Sequence, residues 1–140
     1  MKTLILILIL SFCAFGQTDL PIMGKPSDLA GKKKVYLLAD TTDSRELIKK
    51  VIDKNKSLEI VSDAVDADFI LEFKQISKTT PAKIGMGTFT EIAEMSAYFY
   101  NSDKRKIVAW SETKDKYKKG WGGTKKNEAY LTTQFLKAIK

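Results

Sequence analysis

A chain of 140 residues with 24 Lys and Arg against 17 Asp and Glu, for a net charge of +7, holds no histidine and one cysteine. The lack of histidine excludes triads with an imidazole base and the usual zinc, copper and haem ligand sets, so no cofactor and no such metal is expected. The basic excess is nearly all lysine, a hydrated point charge that reads bases poorly, which points away from nucleic acid and toward an anionic surface or acidic partner.

Met1 and Lys2 precede an apolar run, Thr3 to Leu10, and small residues Ala14 and Gly16 stand three and one positions before Gln17. This is the pattern of a secretory signal peptide over 1–16, cut before Gln17. The run is too short to span a bilayer, which takes roughly 20 residues. Phe12 stands where a lipoprotein signal places a small residue, so Cys13 fits a lipid acceptor poorly and leaves with the signal segment. The exported chain then has neither disulfide nor thiol chemistry. The expected location is periplasmic or secreted.

Residues 17–32, with Pro21, Pro26, Gly24 and Gly31, read as an extended leader, and 33–140 as one domain. Lys33 to Ala39 is apolar on both faces and predicts a central strand. Asp43 with Glu46 forms a capping-box pattern ahead of a helix whose stripe is Leu47, Ile48, Val51 and Ile52, ending near Asn55. Leu58 to Ser62 and Ala67 to Ser77 are the next strands. Lys78 to Thr88 is expected as a loop around Pro81, Gly85 and Gly87. Phe89 to Tyr100 has some helical spacing, but its alternation and the turn at Asn101 to Lys104 favour a strand in a hairpin with Lys106 to Thr113. Lys114 to Lys126 reads as a loop, and Asn127 heads a last helix with Leu131, Phe135, Ala138 and Ile139 on its apolar face. The order β-α-β-β-β-β-α predicts an α+β fold: a single mixed or mostly antiparallel sheet of about five strands with two helices packed on one face.

Three groups of residues bear on function. Gly120, Trp121, Gly122, Gly123, Thr124, Lys125 and Lys126 form a glycine loop before a helix start, where main-chain N–H groups and lysines can hold an anion, although the spacing is not that of a phosphate-binding P-loop. The same loop also reads as a plain connector. Tyr98, Tyr100 and Trp110 lie on neighbouring strands and form a candidate aromatic surface if their faces coincide; cross-strand pairing under a helix is the plainer alternative. Asp63, Asp66 and Asp68 cluster without the glycine and distant glutamate of an EF-hand, so they read as turn and strand-start residues rather than calcium ligands.

The strand Val35–Ala39, the helix 45–55, the run Ala67-Asp68-Phe69-Ile70-Leu71, the strand Ile107-Val108-Ala109-Trp110 and the glycine loop before 127–139 follow one another in an order that resembles a family of small bacterial envelope domains. These are the amino-terminal domain of TolB and the domain shared by CsgG and LpoB. The resemblance implies a non-catalytic assembly or recognition domain and carries no catalytic residues. It also implies a lipid anchor in many members, from which Cys13 departs. The expected function is thus an exported, non-enzymatic domain that recognises an envelope protein, with a sheet edge as one means of contact. The alternatives are a binder of an anionic ligand, such as a lipid head group or cell-wall polymer, and a hydrolase built on two carboxylates.

Overall fold

The structure, a computed structural model, describes residues 20–80, 88–118 and 127–140. Their elements are β1 (Ile22–Met23), β2 (Lys34–Ala39), α1 (Thr42–Asn55), β3 (Glu59–Val61), β4 (Phe69–Thr80), β5 (Thr88–Tyr100), β6 (Lys106–Lys118) and α2 (Asn127–Ala138), with 3-10 turns at Pro26–Leu29 and Ala64–Asp66. The six strands form one sheet in the order β1-β6-β5-β4-β2-β3. β2 pairs in parallel with β3 and β4, and β1 pairs in parallel with β6. The β4/β5 and β5/β6 pairs are antiparallel. The sheet is therefore mixed, and Phe89 to Tyr100 is strand as its alternation predicts.

Alternation decides which face is covered. Val35 and Leu37, Phe69, Leu71 and Phe73, and Ala93, Met95 and Ala97 point to one side, where they bury with Ile48 and Ile52 of α1 and Leu131, Phe135 and Leu136 of α2. Phe135 lies between two rings, 5.9 Å from Phe69 and 5.3 Å from Trp110 between centroids. Thr132 is wholly buried beside them, and its hydroxyl donates to the Glu128 carbonyl, so this polar group is not stranded.

Several boundaries depart from the sequence reading. The leader is in its described part built into the fold: Ile22 and Met23 pair with Ile107 and Val108, and Leu29 is buried in the core. β4 and β5 stay paired out to Thr80 and Thr88, and β6 runs to Lys118 opposite Phe89, so both expected loops begin or end as ladder. Cross-strand hydrogen bonds propagate these hairpins after the apolar alternation has stopped. The helix cap also moves. Thr41, not Asp43, is the N-cap of α1, with its Oγ1 accepting from the Ser44 N–H at 3.1 Å. Ser44 is buried and its hydroxyl donates to Glu128 Oε1 at 2.8 Å, tying the first turns of the two helices together. Asp43 is left in the first turn, where the helix dipole favours a carboxylate. The helix ends at Asn55 as expected, with Lys56 in the left-handed region at φ 50°.

The acidic cluster does structural work. Asp63 Oδ1 accepts from the Val65 N–H and caps the second 3-10 turn. Asp68 Oδ2 accepts from the N–H groups of Lys33 and Lys34 at 2.8 and 2.9 Å, fastening the start of β2 to β4. The hydrogen bonds from Lys34 and then Lys33 hold the Asp68 carboxyl below its ordinary value of 3.8. A carboxylate depressed by folding stabilises the native state above its unfolded pKa, and that contribution disappears as pH falls through the folded one. Asp68→Asn is therefore expected to lower stability at neutral pH and to flatten the acid side of the stability profile below about pH 4. Urea titrations of both proteins from neutral to acid pH check this, and parallel acid limbs would refute it.

Candidate recognition surface

Both helices lie on one side of the sheet, which leaves the other side uncovered among the described residues. Residues that alternate with the core point there: Tyr36 and Leu38 from β2, Ile70 to Ile76 at even positions from β4, and Ile92 to Tyr100 at even positions from β5. Met23 and Val108, a registered pair, extend this face across β1 and β6. Four large apolar side chains on it are exposed: Met23 at 74%, Tyr100 at 57%, Ile76 at 46% and Leu38 at 41%.

A groove of about 280 Å³ crosses this face between β4, β5 and β6, lined among others by Met23, Glu72, Lys74, Glu94, Ser96 and Lys106. Lys74 Nζ pairs with Glu72 Oε1 at 3.1 Å. The hydrogen bond and charge of Glu72, then Glu94 and Asp40, push the Lys74 ammonium up and keep it charged. Glu72 and Glu94 are diagonal neighbours across β4 and β5. Glu72 is thus the ion-pair partner of Lys74 on this face. The groove is chemically a mixed-charge surface.

Tyr98, Tyr100 and Trp110 do not share a face. Tyr98 and Tyr100 point to the uncovered side, edge to face with centroids 6.0 Å apart. Trp110 points to the helix side, against Phe135. The cause is a bulge in β6: Tyr98 is opposite Val108 and Ala97 is opposite Trp110, leaving Ala109 as the extra residue. In a regular ladder Ala109 would be opposite Ala97 and Trp110 opposite Ser96, on the same side as Val108 and the two tyrosines.

Tyr98 is nearly buried although no helix covers it, because Lys106 Nζ sits 3.7 Å from its ring centroid and Tyr100 flanks it. Burial, then Glu72 and Tyr100, pushes its phenol up to about 12 from the ordinary 10.0. A raised folded value means stability that is whole below pH 10.0 and lost as pH rises through about 12. Spectrophotometric titration is expected to show one late phenol that Tyr98→Phe removes. An unchanged curve in that variant would contradict this environment.

The loop 120–126, from Gly120 to Lys126 in the sequence reading, lies outside the described residues. A second groove, which the sequence reading did not single out, is formed between α1 and the edge strand β3. It holds about 260 Å³ and is lined by Leu37, Thr42, Arg45, Lys49, Ile60 and Ser62, with Glu46 and Val61 completing the wall. Thr42, Arg45 and Lys49 fall at one helical stripe, the only sequence signal of this wall. Arg45 also reaches to 6.0 Å from the Tyr36 ring centroid, which sets its guanidinium at the border of the sheet.

No protein-family model matches the chain, and no curated protein matches it. Among solved structures 11 chains match. One is a minor lipoprotein of Acinetobacter baumannii, 16% identical over 77% of this chain and 81% of its own, with a TM-score of 0.43. Another is an uncharacterized lipoprotein B of Nitrosomonas europaea, 12% identical over 77% and 74%, with a TM-score of 0.42. A third is a hypothetical protein of Chlamydia trachomatis, 9% identical over 78% and 94%, with a TM-score of 0.44. Two of these three are thus bacterial lipoproteins, and none of the three bears a TolB, CsgG or LpoB name.

Proposed function

We propose that the chain is an exported, non-enzymatic recognition domain of the bacterial envelope, and that an envelope protein docks on the uncovered face of its sheet. One observation carries this reading: Met23, Leu38, Ile76 and Tyr100 are large, apolar and exposed on the face opposite the helices. A sheet with one face packed normally turns a polar face outward, and large apolar residues exposed on four strands of that face are what a docking partner would cover. The signal-like segment 1–16 supports export, and the sequence pattern resembling TolB and CsgG/LpoB-type domains accords with an assembly role.

A photo-crosslinking residue placed at Leu38 or Tyr100 in living cells tests it, with Lys137 on the exposed flank of α2 as the control position. The expected result is one dominant envelope protein trapped from the first two positions and not from the third. Equal trapping from all three, or none from Leu38 and Tyr100, would remove the uncovered face from the function.

A further inference from the structure

We propose that the free edge of β3, with the groove beside it, is a peptide-binding site: it takes an extended segment of another protein as an added strand whose inward side chains are acidic. This goes beyond the recognition reading by naming a second surface and a different mode of contact, while sharing its premise that the domain binds a protein.

β3 is the terminal strand of the sheet. The Glu59 N–H donates to the Lys33 carbonyl at 2.8 Å, so Glu59 turns its main-chain groups toward β2. Alternation then turns the N–H and C=O of Ile60 outward, and among the described residues neither has a main-chain partner. An edge of this kind is a template for another strand. β3 is short, Glu59-Ile60-Val61, and carries no lysine, so the main-chain pairing it offers is confined to Ile60 and the groove beside it must select the occupant.

What lies beside the edge selects the occupant. Ile60 is in register with Val35 and packs toward the helices, so a strand added next to it would send every second side chain to the same side. Those side chains would enter the groove against the flank of α1, over a floor that includes Leu37 and Ile60. The wall they meet carries two cations, Arg45 and Lys49, the one anion Glu46, and the hydroxyls of Thr42 and Ser62. Arg45 can grip a carboxylate with two parallel hydrogen bonds, and Lys49 adds charge. Main-chain pairing to Ile60 would supply the register, and the cations would choose acidic side chains at alternate positions, as in other strand-addition sites. Glu59, exposed on the opposite side, disfavours acid there, so the recognised pattern is acidic on one face of the strand only.

The test uses two end-capped ten-residue peptides, alternating Glu-Thr and alternating Lys-Thr, and an N-methylated Glu-Thr peptide in which the amides that would face β3 are blocked. Each is titrated into the full chain as the cell matures it, followed by the amide resonance of Ile60 and its hydrogen exchange. The Glu-Thr peptide is expected to bind, to slow exchange at Ile60 and to weaken with salt, since exposed charges are screened over about 8 Å at physiological ionic strength. N-methylation or the double variant R45E/K49E is expected to lower affinity by about tenfold or more, and the double variant to gain affinity for the Lys-Thr peptide. Equal binding of the two unmodified peptides, no effect of N-methylation, or no binding at all would overturn the proposal. So would vesicles containing anionic lipid binding through Arg45 and Lys49 when no peptide does, which would make the groove a membrane contact. Crosslinking from Leu38 in R45E/K49E separates the two surfaces: retained trapping leaves the uncovered face standing whatever happens at β3.

Discussion

Replacing Phe135 with alanine is expected to lower the unfolding free energy by about 3–5 kcal/mol, the range for a fully buried ring. Phe135 is completely buried in α2, with Phe69 of β4 on one side and Trp110 of β6 on the other. Its loss removes the transfer energy of the ring and also leaves a cavity between two large, anchored neighbours. Neither neighbour collapses easily, because Phe69 is held in the ladder with β2 and Trp110 in the ladder with β5. Ala93 and Ala97 beneath the helices offer no long side chain that could turn into the space. Since domains of this size hold about 5–15 kcal/mol in total, the variant should approach marginal stability. Urea unfolding followed by circular dichroism measures this. Phe135→Leu, which keeps much of the volume, should cost clearly less. A cost below about 1 kcal/mol for the alanine variant would mean that the stack is not a centre of the core.

The elements that were legible in the sequence are those where a period repeats for long enough. The stripe of Ile48 and Ile52, the alternation of Phe69, Leu71 and Phe73, and the alternation of Ala93, Met95 and Ala97 each announce their type and their buried side. Features that depend on a partner element were not. Ile22 and Met23 are a strand only because β6 lies next to them, and two residues between prolines and glycines have no period to read. The hairpin ends at Thr80, Thr88 and Lys118 are likewise set by pairing rather than by side-chain pattern. Thr41 competes with Asp43 as a cap, and the part-buried bond that ties the first turn of α1 to Glu128 comes from 84 positions along the chain. The groove beside β3 needs both the helical stripe of Arg45 and Lys49, which is visible, and the placement of β3 at the border, which strand order alone supplies. The aromatic surface failed for a local reason: one inserted residue, Ala109, reverses the face of everything after it on β6.

That reversal gives Tyr100 and Trp110 opposite expected phenotypes. Tyr100→Ala should leave stability within about 0.5 kcal/mol, since the ring is exposed and fills no core space. It should cost about 2 kcal/mol or more in partner affinity, roughly a thirtyfold loss, if Tyr100 is an anchor of the uncovered face. Trp110→Ala should do the reverse. It removes the ring that meets Phe135 and is expected to cost about 2–3 kcal/mol of stability, less than a wholly buried tryptophan because Trp110 keeps some contact with water. Trapping of the partner from Leu38, measured well below the melting temperature of the weakened variant, should then be unchanged. Tyr100→Ala carries a further internal check. Its ring flanks Tyr98, so its removal should let water reach that phenol and bring its titration back from about 12 toward 10.0. A Tyr100 variant that loses the partner, keeps its melting point and shifts the Tyr98 titration would locate the contact on the uncovered face. If instead Trp110→Ala abolishes trapping while folded and Tyr100→Ala does not, the partner meets the helix side or the β6 edge, and the role given to the uncovered face falls.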